Sequence, residues 1–446
     1  MPQSFSSAWL AGQLRQLAGT LKGARFCLGF SGGADSTALL AAAAAARSRY
    51  GFQLRAVHIN HHLQFNAERM ARSASTSARQ LGVRCAVVDA PVQPKRGDSI
   101  EAAARTARNA ALRAQLRVGE WLLLAQHQED QAETVLLQLL RGSGVAGLAA
   151  MPTRRETTLR PLLAVTRVQL LAYLARRKLS WIDDPSNADE RFDRNYLRLR
   201  VLPVLRARWP AFGVTIGRSA TLAAEAQGLL NGIADVGLAE ACDGTALRVS
   251  ALRCLEGTQR HLVLRRWLEC RGVPMPDQRR LREIAGPMLR ARFDAQPSVA
   301  WIGALVRRHG DLLYAETQTA AAAAPMAGGA VPLQWNWLRK RRFTLPDGTC
   351  LELRSEAHAG GQTRAELPRQ VRVEFRAGAS VGASVGASAV QRRSGAKRLK
   401  RLLQSQAKLP WQRGAVPILY SGAVLLAVGD RWAKPTAGFR LHWHRS

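Results

Sequence analysis

Ser31-Gly32-Gly33-Ala34-Asp35-Ser36 is the stretch on which the reading of this chain turns. It follows an apolar run, Phe26-Cys27-Leu28-Gly29-Phe30, that reads as a short buried strand. It precedes Thr37-Ala38-Leu39-Leu40 and the alanine block 41–46, which read as a helix. Strand, glycine-rich turn and helix start make an anion site. The glycines let backbone N–H groups converge, and the helix N-terminus adds partial positive charge. Ser31 and Ser36 can donate to phosphate oxygens, while Asp35 would repel phosphate unless a cation intervenes. No Lys follows the glycines, which excludes the G-x-x-x-x-G-K-[ST] loop.

Outward from this turn, strand-like runs at 25–30, 53–59, 84–89 and 120–125 alternate with helical stretches at 36–49, 66–81, 99–117 and 129–141. The alternation predicts an α/β fold, a doubly wound parallel sheet over the first ~150 residues. Ligands of such sheets lie beyond the carboxyl ends of strands. Ser31–Ser36, His58–His62 and Gln126–Asp130 all fall at such ends, so three strand ends converge on one crevice. Three His within residues 58–62 have no acidic or thiolate partner at ligand spacing, and lining the crevice is the simpler role. Residues 160–205 read as a helical extension, giving a first domain over 1–205. A mainly helical region, 206–318, ends in strand-like residues at 298–316. The alanine- and glycine-rich stretch 319–330 reads as a linker. Residues 331–446 read as a small α+β domain with a Gly-Ala-Ser-Val repeat at 378–390.

The chain has 446 residues and a formal net charge of +33. Arg dominates this excess, and Arg suits bidentate recognition of phosphate, so nucleic acid is the expected partner. The cysteines are scattered without a C-x-x-C pair, which argues against zinc, iron–sulfur and disulfide frameworks. No signal peptide opens the sequence, and no apolar run reaches the ~20 residues of a spanning helix. A cytoplasmic location is expected.

Other segments can carry chemistry. Asp98-Ser99-Ile100-Glu101 is an N-cap with an acid three residues on, opening a helix that aligns Glu101, Arg105 and Arg108. Gln126-His127-Gln128-Glu129-Asp130 leads into a helix on which Asp130, Glu133 and Thr134 share a face. That helix stops at Arg141-Gly142-Ser143-Gly144. Arg160-Pro161-Leu162-Leu163, the turn Asp184-Pro185-Ser186-Asn187 and Arg194-Asn195-Tyr196-Leu197-Arg198 follow. Gln391–Arg413 carries eight basic residues and no acid.

The turn resembles the PP-loop of ATP pyrophosphatases, which cleave ATP between the α- and β-phosphates and adenylate a substrate. The ordered set of blocks is similar to the tRNA(Ile)-lysidine synthase family over the first ~205 residues. Arg398–Arg401, Leu409-Pro-Trp-Gln-Arg413 and Val416–Tyr420 resemble that family's last domain. Two departures stand out: Gln126 and Glu129 replace the usual His and Asp of His-His-x-Asp-Asp-Gln, and Asn109 replaces a frequent Tyr. The resemblance implies ATP and Mg²⁺ as cofactors, with tRNA(Ile) bearing a CAU anticodon and free lysine as substrates. A homodimer stays open, as do the alternatives of a tRNA thiolase or a non-catalytic RNA-binding relic. It implies ATP binding by Ser31, Gly32, Gly33, Ala34, Asp35 and Ser36, with Asp35 also at the metal. Catalytic roles would fall to Asp35, His127, Asp130 and Glu133. Contacts to tRNA or substrate would fall to Arg105, Arg108, Arg141, Asn195, Arg198, Lys397, Lys400 and Arg401.

Overall fold

The computed structural model describes residues 4–60, 67–90, 100–183, 188–317, 333–337, 339–345, 348–355, 367–375, 399–403, 405, 409–422, 424–433 and 439–444. His61, His62, Asp98, Asp184–Asn187, the linker 319–330, the repeat 378–390 and Lys397 lie outside the described residues, as does the side chain of Glu101. The chain divides into two compact units, Met1–Leu230 and Asn231–Ser446.

In the first unit, β1 (Arg25–Gly29) lies between β2 (Gln53–Asn60) and β4 (Glu120–Leu123), with β3 (Cys85–Asp89) outside β2. These pairs are parallel, in the registers Arg25↔Gln53, Arg25↔Glu120 and Ala56↔Cys85. β6 (Thr158–Leu159) continues the parallel sheet beside β4, and β5 (Arg154–Arg155) closes it antiparallel. The order β3-β2-β1-β4-β6-β5 reverses direction at β1 and β4, which puts the ligand crevice of a doubly wound sheet there.

Strand pleating distributes β1 between two faces. Phe26, Leu28 and Phe30 enter a core with α1 (Ser7–Ala18), α2 (Ala34–Tyr50) and α7 (Arg167–Arg176), through Leu10, Leu14, Leu39, Leu170 and Leu174. Cys27 faces the other way, onto Val57, Leu122 and Leu112 of α4 (Ile100–Ala114). Ala34, Ala38, Ala41, Ala42, Ala43 and Ala46 of α2 are buried in the first core, where small side chains in a good helix former let backbone approach sheet. Burial raises the Cys27 thiol to a pKa of about 11, so it is an inert packing group.

The second unit begins within the long helix Phe212–Ala241. Its first sheet joins β7 (Cys242–Asp243), β8 (Ala246–Arg248), β9 (Ser298–Trp301), β10 (Ala304–His309) and β11 (Leu312–Thr317) in the order β7-β8-β11-β10-β9. Helices Val249–Cys254, Gly257–Cys270 and Gln278–Glu283 pack on it around Trp267, Leu264, Val306 and Leu313. β7 and β8, two and three residues long, leave no periodic signal in the sequence. Beyond residue 332 the described residues form a five-stranded and a three-stranded sheet over a core that includes Trp335 and Trp337, with residues 399–403 helical.

Part of the arginine excess is structural. Arg308, buried, donates to the carbonyls of Met288, Leu289, Ala291 and Gly310 at 2.8–2.9 Å. Arg260 serves Leu252, Leu255 and Ala285 in the same way. These guanidiniums satisfy carbonyls left open where helices end, so charge count alone overstates the surface available to a polyanion.

Candidate active site

The turn from β1 into α2 is held by its own side chains. Ser36 Oγ donates to the Gly33 carbonyl at 3.1 Å and lies 3.0 Å from Ser31 Oγ. Thr37 Oγ1 donates to the Gly32 carbonyl at 3.3 Å, and the Ile182 N–H reaches the same oxygen at 3.0 Å. Gly32 has φ +85°, a conformation that favours glycine, and a Cβ there would also press on the tip of Ile182 at 3.0 Å. The first-turn N–H groups of α2 have no partner within the helix and carry its positive end. A helix start of this kind can receive an anion.

His127 ties that turn to the helix opposite. It immediately precedes α5 (Gln128–Leu140), beyond the end of β4, and its ring is buried. Nε2 lies 3.5 Å from Asp35 Oδ2 of the turn and 3.5 Å from Asp130 Oδ2, while Nδ1 lies 3.1 Å from Glu129 Oε2. The His127 backbone N–H also donates to Asp130 Oδ2 at 3.0 Å. Burial opposes a charged ring, but Asp130, Asp35 and Glu129 together outweigh it and raise the His127 pKa to about 10. The same attraction, with Arg194 and Arg198 beside Asp130, overcomes burial and holds Asp130 below the ordinary carboxylate range. Glu129 is likewise lowered against burial by the His127 ring, and its Oε2 accepts from the Arg167 N–H at 3.0 Å.

One turn further along α5, Glu133 is completely buried between two arginines. Arg194 Nε donates to it at 2.7 Å, and Arg198 donates through Nε at 2.7 Å and Nη2 at 3.0 Å. Arg194 stands in α8 (Asp193–Tyr196) and Arg198 in the wider π turn Leu197–Val201 that continues it. Their four-residue spacing puts both guanidiniums on one face. Arg198 Nη2 also reaches Asp130 Oδ1 at 3.0 Å. Glu133 therefore clamps Arg194 and Arg198 against α5 one turn from Asp130, with its carboxylate closed to solvent. Gln131 makes a second brace, exchanging two 3.0 Å hydrogen bonds with the Met151 backbone.

The structure thus brings together Asp35, His127, Asp130, Glu133 and Arg198 in one network. Arg105 stands half-buried on α4, its Nη2 3.8 Å from Met151 Sδ, and burial with repulsion from Arg194 and Arg108 lowers its pKa to about 10. Arg108 and Arg141 are exposed, the latter 3.9 Å from Asp193. Asn195 donates to the Asp189 carbonyl at 3.0 Å. Lys400 and Arg401 are exposed in the second unit. Sequence reasoning did not reach the roles of Glu129, Arg167 and Arg194. Only the i,i+4 pairing of Arg194 with Arg198 left a signal.

Mg²⁺ fits this donor set in one manner. Asp35 Oδ1 is buried without a hydrogen-bond partner, with Arg167 Nε at 4.0 Å. No group of three or more His, Cys, Asp or Glu suited to a metal exists among the described residues. One carboxylate sharing a cation with substrate phosphates matches how Mg²⁺ is commonly held.

Three family models match: a PP-loop domain over residues 7–205, a TilS substrate binding domain over 247–314 and a TilS substrate C-terminal domain over 372–443. The tRNA(Ile)-lysidine synthase of Methylococcus capsulatus is 36% identical over 423 residues, 93% of either chain. That of Alkalilimnicola ehrlichii is 38% identical, covering 91% of this chain and 89% of its own. That of Coxiella burnetii is 37% identical, covering 90% and 88%. No helix among the described residues is long and apolar enough to cross a membrane.

Proposed function

Because the chain belongs to the tRNA(Ile)-lysidine synthase family, we propose that its crevice adenylates C34 of a CAU-anticodon tRNA(Ile) and transfers free lysine to it. ATP seats its phosphates on the Ser31–Ser36 turn. O2 of C34 attacks the α-phosphorus, pyrophosphate leaves, and the ε-amine of lysine then attacks C2 and displaces AMP. A carbonyl oxygen is a poor leaving group, and adenylation makes it a good one. The observation that carries this reading is the buried His127, which joins Asp35 of the phosphate seat to Asp130 of the facing helix within 3.5 Å of each. Phosphate seat and acid cluster are therefore one site.

The residues divide the work. The turn binds and orients the triphosphate, and Asp35 is the residue that would hold Mg²⁺, whose positive charge would offset that of the pyrophosphate. His127, cationic at neutral pH, fixes the rotamers of Asp35 and Asp130. Asp130 orients C34 or the lysine ammonium, while Glu133 with Arg194 and Arg198 acts as a positioning group behind it. Arg105, with Arg108, receives phosphate. C34 must leave the anticodon stack to reach the crevice. Residues 206–318 and 331–446 bind tRNA outside the anticodon, with Lys400 and Arg401 on its phosphates. The reaction belongs in the cytoplasm, where tRNA and ATP meet. Incubating protein, ATP and tRNA(Ile) transcript without lysine tests the first step. Pyrophosphate should appear only when the transcript has C34, and release that ignores position 34 would refute the assignment.

A further inference from the structure

The β10–β11 hairpin of the second unit has two faces of different character. Val306, Arg308, Leu313 and Ala315 point into the core, whereas Arg307, His309, Tyr314 and Glu316 stand on the opposite face. Trp411, in the short 3₁₀ segment Pro410–Ala415, lies against that outer face. Its ring centroid is 5.2 Å from the Arg307 guanidinium carbon, 5.5 Å from the Tyr314 ring and 6.2 Å from the His309 ring, both rings edge-on. The indole N–H donates to Glu316 Oε1 at 2.8 Å, and Arg307 Nε lies 3.8 Å from the other oxygen of Glu316. Apolar ring, cation and hydrogen-bond acceptor therefore surround one side chain, the combination that makes tryptophan an anchor.

Through Arg307, His309 and Tyr314 the contact joins two stretches that separate family models cover, 247–314 and 372–443, and its hydrogen bond to Glu316, two residues beyond the first stretch, spans 95 residues of chain. We propose that Trp411 is a positioning residue that seats the C-terminal β-domain on the outer face of the middle sheet. It thereby holds two tRNA-binding surfaces at one fixed spacing. This rests on the proposed binding of tRNA by both regions. A rigid joint turns the second contact with a long polyanion into an intramolecular one, and a loosened joint lowers its effective concentration. The gain exists only for an RNA long enough to touch both surfaces.

The test compares full-length tRNA(Ile) transcript with its isolated anticodon stem-loop, using wild type, Trp411→Ala and Trp411→Phe. Kd and KM for the full transcript should rise about tenfold in Trp411→Ala. Kd for the stem-loop, KM for ATP and kcat at saturating tRNA should stay within about twofold of wild type. Trp411→Phe keeps the ring and loses the N–H, so the full-length Kd should rise about threefold with the thermal midpoint nearly unchanged. This variant decides the matter if the alanine form does not fold. Full-length Kd within error of wild type in the phenylalanine variant, or equal losses on both RNAs, would overturn the proposal alone. A wild-type protein that binds no tRNA would overturn it together with the function on which it rests.

Discussion

Replacing Glu133 by Gln keeps the shape of the side chain and removes its charge. Glu133 is inaccessible to solvent, while the side chains of Arg194 and Arg198 are 16% and 30% exposed. Removing one partner of a buried ion pair costs about 3–5 kcal/mol, because the remaining charge stays desolvated. Here Gln still offers one acceptor, Arg198 keeps Asp130 at 3.0 Å, and both guanidiniums retain some water. The loss should therefore sit at the low end, about 3 kcal/mol. The first unit spans 230 residues, a size at which 1 kcal/mol moves the midpoint by about 2–4 °C, so a fall of about 6–12 °C is expected. Differential scanning calorimetry of both proteins measures it. Well below the midpoint, turnover should drop by less than about tenfold, since Glu133 acts through Asp130. A midpoint within 2 °C of wild type with turnover down a hundredfold or more would refute the positioning role and make Glu133 a contact of the substrate.

Asp35→Asn preserves the turn and should slow pyrophosphate release by about 10²–10³, the scale of losing one preorganised electrostatic contact. Release within threefold of wild type would remove Asp35 from the chemistry. The His127 pKa is raised from 6.5 to about 10 in the folded protein. Its ion pairs thus contribute stability that is complete below about pH 6.5 and lost as pH rises through about 10. His127→Gln should be less stable than wild type at pH 7, with a gap that narrows by pH 10 in urea titrations. A gap independent of pH contradicts the assignment. Lys400→Ala with Arg401→Ala should flatten the slope of log affinity for tRNA against log salt by up to about 1.8, near 0.9 per phosphate contact. Affinity for ATP should not move.

The parallel sheet of the first unit was legible because strands buried on both faces read as continuous apolar runs, as in Phe26–Phe30 and Trp121–Ala125. The turn after β1 was legible because φ +85° at Gly32 favours a particular residue. Glu133 was visible only as an acid near a helix start. What makes it structural is Arg194, 61 residues away, and no local pattern encodes such a pairing. The same holds for Trp411 and Glu316, 95 residues apart. Gln126 and Glu129, departures from the family pattern, divide in outcome. Glu129 works through His127 and Arg167, whereas Gln126 Oε1 is buried without a hydrogen-bond partner, and the structure does not explain it. The arginine count exaggerated the nucleic-acid surface because residues such as Arg260 and Arg308 serve helix-end carbonyls instead.

The central claim is that one crevice activates a cytidine with ATP and joins lysine to it. Its most direct test is purified protein with ATP, isotopically labelled lysine and tRNA(Ile) transcript, followed by nuclease digestion and mass analysis of nucleoside 34. The account predicts label at C34 in the CAU transcript, dependent on ATP, abolished by a C34→U transcript and lost in Asp35→Asn. Label absent from nucleoside 34, or retained without ATP, would contradict it.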